Sequence, residues 1–328
     1  MEIALKDIAE LLKSRRDTSK RTVLFLGARA GGLYGNSTLY NKIEKFSVTS
    51  FDNLDDIEKF AKCYDELQNN QRFNESNIYD ILSDALKNEP GLIYRQEDDC
   101  LMELVKEEFF DAIISTNFDV LLEETFIHEG MKDPYDYHIY MHSREFHKPD
   151  NKFVHNETKC SIVKVFGDIR SRDFWTVGSE FDLDDDKNFK QFLESTLAKD
   201  ILMVGFDPKW DGPIRRAFPT RGGEFWYVNE KKPEEDSLVY ESLRNRSGKS
   251  LHGWQGSYNK FMKDLHSHIL NRRPLSYGSM HKVFTHLQQI DRGITGLQNE
   301  MTILRTDVEK LLAFKEQSVQ PNQQQGDF

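Results

Sequence analysis

The sequence predicts an α/β fold: a doubly wound parallel sheet with a helical cap insertion, followed by a separate C-terminal helix. Three observations carry that prediction. Compact apolar runs rich in branched residues occur at 23–26, 112–114 and 201–204, the pattern of strands buried on both faces. Most end in glycine or small polar residues and lead into helical spacing, and strands alternating with helices indicate a parallel sheet. Near the end, residues 280–311 switch to an unbroken three-and-four spacing of apolar positions, which belongs to a long helix.

Composition narrows the function classes. The chain has 328 residues, with 44 Lys+Arg against 55 Asp+Glu, so its net charge is −11. That argues against a generally basic nucleic-acid binder. Mean hydropathy is −0.66, no apolar run is long enough for a membrane span, and the charged N-terminus does not read as a secretory signal. Cys63, Cys100 and Cys160 lie far apart with no CxxC pair, which suggests a reducing cytoplasm and no structural zinc site.

In chain order, residues 1–20 form an amphipathic helix, with Ile3, Ile8, Leu11 and Leu12 at helical spacing. A strand then ends in the glycine-rich turn Gly27, Ala28, Arg29, Ala30, Gly31, Gly32. Glycines after a parallel strand let backbone amides approach a diphosphate, although a turn with no ligand fits equally well. Residues 38–108 lack strand signals and read as a helical cap, for example at 54–67 and 78–86. DAIISTNFDVLLEE at 111–124 reads as strand, polar turn, helix. Asn117 falls at the N-cap position and Asp119 in the first helical turn, either as plain caps or as ligand contacts. A strand is expected at 135–140, an alternating one at 161–168, another at 200–206, and a last one at 224–228. His138, His142, His147 and His155 invite a metal reading, but no pair has a helical HExxH context, so packing and surface roles are expected.

The ordered set LGARAGG, STNFD, KVFGD and ILMVGFDPKWDGP resembles the sirtuin-like domain, in particular its prokaryotic antiphage-defence branch, the type of the Thoeris NAD hydrolase. The resemblance runs over about residues 20–270. It implies a Rossmann-like sheet with a helical cap, NAD or an ADP-ribose-like nucleotide as cofactor, and cleavage of the nicotinamide–ribose bond. Residue by residue, it assigns Asn117 to orienting ribose and water, with Asp119 as its acidic partner. Gly27, Ala28, Arg29, Gly31, Gly32, Gly167, Asp168, Gly205 and Phe206 fall in the nucleotide site. No metal is implied, since the four-cysteine module of zinc-bearing sirtuins is missing.

Two departures stand out. Phe166 occupies the position of the family's catalytic histidine, and phenylalanine cannot accept a proton. Arg29 replaces the second glycine of the turn, where it either contacts phosphate directly or plugs the pocket.

After a linker at 271–279, a helix at 280–314 carries Met280, Val283, Leu287, Ile290, Ile294, Leu297, Met301, Leu304, Val308 and Leu311 in heptad register. This pattern predicts a homo-oligomeric coiled coil through 280–311, against the alternative of one helix packing back on the domain. The tail at 315–328 is polar and expected to be disordered. The sequence thus points to a cytoplasmic sirtuin-like subunit of an immune system, at residues 21–270, with hydrolysis lost or dependent on a second defence protein. One alternative is an active NAD hydrolase recruiting His138, His142 or His147 as base. The other is an assembly protein with no nucleotide.

Overall fold

The structure is a computed structural model that describes residues 2–18, 20–32, 54, 62, 75–88, 95–142, 158–175, 181–235, 237–274, 294, 296–298, 300–306 and 308–310. The chain divides into two compact units, Met1–Leu275 and Ser276–Phe328. The expected helix at 54–67 apart from residues 54 and 62, most of the cap, His147, His155 and the heptad positions Met280, Val283, Leu287, Ile290 and Leu311 lie outside the described residues.

The first unit is built on a seven-stranded parallel sheet. Its strands are β1 (Thr22–Leu26), β2 (Phe110–Ser115), β3 (Tyr137–Met141), β4 (Cys160–Lys164), β7 (Ile201–Val204), β8 (Phe225–Val228) and β9 (Lys249–Leu251). Two dipeptide strands, β5 (Gly167–Asp168) and β6 (Asp173–Phe174), pair antiparallel outside it. The spatial order is β3-β4-β2-β1-β7-β8-β9. The chain therefore winds outward from β1 in one direction through β2, then crosses β1 to build the other half. This is a doubly wound, Rossmann-like α/β fold, and the order reverses between β1 and β7.

Side chains alternate between two buried faces. Leu24, Leu26, Ile113, Leu202 and Trp226 pack against helices α1 (Leu5–Asp17), α3 (Gln96–Lys106) and α7 (Tyr258–Leu270) through Ile8, Leu12, Leu104 and Phe261. On the opposite face, Phe25, Ile114, Met203 and Tyr227 meet Leu82 of α2 (Glu75–Asn88), Leu193 of α5 (Lys187–Leu197) and Leu243 of α6 (Leu238–Asn245). Burial on both sides explains why these strands read as continuous apolar runs.

Several expectations shift in detail. The N-terminal helix covers only Leu5–Asp17 of the expected 1–20, with Arg15 engaging Asp200 and Arg16 meeting Glu107 at 3.0 Å. The expected strand at 135–140 is displaced to β3, because the turn at 133–136 occupies its start. Strand β9 was not foreseen, since three residues of mixed polarity carry no periodic signal. Asn117 is not an N-cap. Helix α4 (Leu121–His128) starts later, with Val120 in the cap position, and the Leu121 amide donates to Asp119 Oδ1 at 3.3 Å.

In the second unit the described residues from 294 to 310 are helical. Ile294, Leu297, Met301, Leu304 and Val308 are between 49% and 70% exposed within the single chain. No helix among the described residues is long and apolar enough to cross a membrane.

Candidate functional site

The crevice at the topological switch point lies at the carboxyl ends of β1, β7 and β8. After β1 the chain makes a single 3-10 turn, Ala28–Ala30. The Gly27 amide donates to Val204 O at 2.9 Å and the Arg29 amide to Gly205 O at 3.0 Å. A Cβ on Gly27 would stand 2.4 Å from Gly205 O, and Gly205 itself has φ +72°. Glycine at these two positions lets the β1 and β7 turns meet backbone to backbone.

That contact changes the expected use of the turn. The Ala28 amide donates to Asp211 Oδ2 (3.2 Å), Ala30 to Gly27 O (2.9 Å), Gly31 to Ala28 O (3.0 Å) and Gly32 to Asp119 Oδ2 (2.8 Å). With Arg29 included, every amide from 28 to 32 already has an acceptor within the protein. A diphosphate would have to displace the Asp119 or Asp211 carboxylate to reach the side-chain-bonded ones. From behind, the half-buried Arg95 donates to Ala30 O at 2.9 Å and pairs with Asp98, which also accepts from Tyr258.

Asn117 braces the glycine turn from the β2 side. Its Nδ2 donates to Gly27 O at 3.0 Å, and a Cβ on Gly31 would stand 2.1 Å from its Oδ1. Asp211 is fully buried at the same junction and also accepts from the Asp207 amide at 2.7 Å. Burial pushes its carboxyl up to about 7, against the lowering effect of the Thr116 hydroxyl and the amides it accepts from.

On the far side of Asn117, a sealed ionic cluster ties β4 to α4. Lys164 Nζ lies 2.6 Å from Glu123 Oε1 and 3.6 Å from Asp168 Oδ2, and also bonds the Asp119 carbonyl. Both Lys164 and Glu123 side chains are 2% exposed. Burial acts to discharge the lysine, but Glu123, Asp168 and Asp119 outweigh it and hold its pKa above the usual value. Gly167 and Asp168 form the first strand of the β5–β6 hairpin. Gly167 has φ +80°, and Asp168 Oδ1 accepts from the Arg170 amide at 2.7 Å.

Phe166 joins an aromatic wall. Its ring meets Phe181 edge-on at 5.0 Å, and its carbonyl accepts from the Trp175 amide. His142 lies flat between Trp175 (5.0 Å) and Phe189 (3.9 Å), with Nδ1 3.1 Å from Val165 O and Nε2 3.5 Å from Asp186. His138 pairs with Asp133 at 2.7 Å. Among the described residues, no three His, Cys, Asp or Glu side chains converge as a metal site.

On the β7–β8 side the crevice opens into a cavity of about 590 Å³, within the ~300–1,000 Å³ typical of small-molecule sites. Of the sequence candidates, only Arg29 and Phe206 line it; Asn117 and Asp119 bond to the glycine turn and do not reach its wall. Arg29 forms part of the wall: Nη2 and Nε reach Asp207 Oδ2 at 2.9 and 3.1 Å, and Nη1 is 3.8 Å from Glu230. Asn229 at the end of β8 donates to Phe206 O at 2.6 Å. Gly167 and Asp168 connect to this assembly through Lys164.

Asp207, Asp211, Asn229, Lys164 and Glu123 were missed as functional candidates. A lysine inside a buried strand, and two aspartates four apart after another, were the available signals.

Residues 111–244 match the family description "SIR2-like domain", less than half of the chain. No curated protein matches the sequence. A solved structure described as "Structural Basis for the Mechanism and Regulation of Sir2 Enzymes" overlays 81% of this chain and 97% of its own, with 11% identity and a TM-score of 0.39. At that level the overlay carries no argument about activity.

Proposed function

We propose that the chain is a cytoplasmic, sirtuin-like nucleotide-binding subunit of a prokaryotic antiphage type, in which hydrolysis of the nicotinamide–ribose bond is lost or supplied with help from a partner. The observation that carries this reading is the pairing of an open cavity at the switch point with Phe166 packed into an aromatic wall. The SIR2-like match and the strand-end motifs support NAD or an ADP-ribose-like nucleotide as the ligand. In this reading Asn117 orients the ribose from the glycine turn, to which its Nδ2–Gly27 O bond and the Asp119–Gly32 bond tie both residues. Neither His142, stacked and bonded, nor His138, paired to Asp133, is set up as an obvious replacement base.

Calorimetric titration with NAD and ADP-ribose tests the binding half. Arg29→Ala removes the cation that balances Asp207, leaving a buried carboxylate facing the ligand. It should weaken binding about tenfold or more, as a charge-assisted contact is worth roughly 1.5–3 kcal/mol. Binding to Arg29→Gly but not to wild type would make Arg29 a plug and overturn the reading. The exposed apolar seam at 294–308 supports assembly through the C-terminal helix. Truncation after Arg273 should lower the mass in light scattering, and an unchanged mass would reject that role.

A further inference from the structure

The glycine turn has little left to offer a phosphate, because its amides from 28 to 32 are bonded within the protein. The cations around the cavity are engaged as well: Arg29 pairs with Asp207 and Glu230, Arg216 with Asp184, and Lys232 with Glu2. Uncommitted hydrogen-bond donors occur instead on the β8 side.

Helix α6 begins at the cavity wall, where Ser237, Leu238 and Val239 are part of the lining. Ser237 caps it by accepting from the Tyr240 amide at 3.2 Å, and the Glu241 amide donates to Ser237 O at 3.0 Å. The Leu238 and Val239 amides have no acceptor among the described residues. They are orphan N–H groups at the start of an eight-residue helix, the end where its dipole is positive.

Strand β8 supplies an independent donor. Tyr227 lines the cavity and is only 2% exposed. Its hydroxyl lies 2.7 Å from Asn229 Nδ2. That amide has one possible orientation, since Nδ2 also donates to Phe206 O at 2.6 Å and Oδ1 accepts from the Glu230 amide at 2.8 Å. The Tyr227 hydroxyl is therefore the acceptor, and its own hydrogen has no acceptor among the described residues. Burial pushes the phenol up to about 12, so it keeps that hydrogen at neutral pH. A buried hydroxyl with an unused hydrogen at a cavity wall calls for a ligand oxygen.

We propose that the α6 N-terminus and Tyr227 together form the phosphate site of the bound nucleotide, in place of the glycine turn. This rests on the nucleotide-binding reading above and specifies where its diphosphate sits. Backbone N–H groups and the dipole both favour an anion at a helix N-terminus, and the phenol adds a third donor from the side.

The test is calorimetric titration of the full chain with ADP-ribose, adenosine and inorganic pyrophosphate, in the wild type and in two variants. Tyr227→Phe removes the hydroxyl and keeps the ring. Leu238→Pro removes one amide at the first helical position, where proline fits, and Ser237 before it is already extended (φ −84°, ψ 149°). Leu238→Ala is the reference for the lost side chain. Each variant should weaken ADP-ribose about tenfold, as loss of a hydrogen bond to a charged group does, with adenosine binding unchanged. Unchanged ADP-ribose affinity in Tyr227→Phe, or in Leu238→Pro relative to Leu238→Ala, would overturn the inference and leave nucleotide binding intact. An equal loss for adenosine would overturn it too, because the donors would then read the nucleoside. Pyrophosphate binding as tightly as ADP-ribose would make this a site for a free anion and overturn the nucleotide assignment. No binding of any of the three by the wild type would sink the broader reading along with it.

Discussion

At the carboxyl edge of the sheet, the two sides of β1 are built on opposite plans. Toward β7 and β8 the turns diverge around a cavity lined by cations and exposed to solvent. Toward β2 and β4 the same edge is filled: Lys164 pairs with Glu123 and Asp168 out of water, and Phe166, Trp175, Phe181 and His142 form a packed wall. The glycine turn, Asn117 and Asp211 form the seam between them. The difference separates two requirements that a hydrolase must meet together. Holding a nucleotide needs an accessible, charged recess, whereas cleaving it also needs a base at the reacting carbon. On the proposed reading, this chain has the first beside a Phe166 that removes the second.

The largest effect should come from breaking the filled side. Lys164→Met leaves Glu123 and Asp168 buried without their cation, and stranding a buried charge typically costs about 3–5 kcal/mol. Urea denaturation should show a loss of that order, partly recovered in Lys164→Met with Glu123→Gln. A loss below about 1 kcal/mol would mean water reaches the cluster, and the contrast between the two sides would weaken.

A smaller effect sharpens the description of the seam. Asp211 has its pKa raised on folding, to about 7, so the folded state holds its proton where the unfolded chain has released it. Its contribution to stability is therefore present at acid pH and lost as pH rises from about 4 to about 7. Relative to Asp211→Asn, the wild type should lose stability across that window with a slope approaching about 1.4 kcal/mol per pH unit. Parallel stability curves for the two proteins would show that Asp211 is not titrating in this range.

The sheet was legible because its strands are buried on both faces, and such strands announce themselves as apolar runs. The exceptions follow from the same physics: β9 is too short and mixed, and β3 sits at an edge with intermediate burial. At the site, the motif glycines mark where the turns meet, but sequence could not tell that their amides would be satisfied by Asp119, Asp211 and neighbouring carbonyls. Asp211 lies 183 residues from Ala28, and only folding brings them together. Arg29 was legible as an anomaly, yet its resting place on Asp207 depended on how the β7 turn curls. The aromatic wall around Phe166 was invisible for the same reason, since Phe181 and Phe189 come from a segment with no motif of its own.

Incubation of the purified full-length protein with NAD, followed by chromatography for nicotinamide, tests the central claim most directly. A missing general base is worth typically 10²–10⁴-fold, so release of nicotinamide should stay near the uncatalysed background while calorimetry still registers nucleotide binding. Robust turnover by the protein alone, abolished by Asn117→Ala, would contradict the account, because the crevice would then carry out the chemistry that Phe166 is argued to remove.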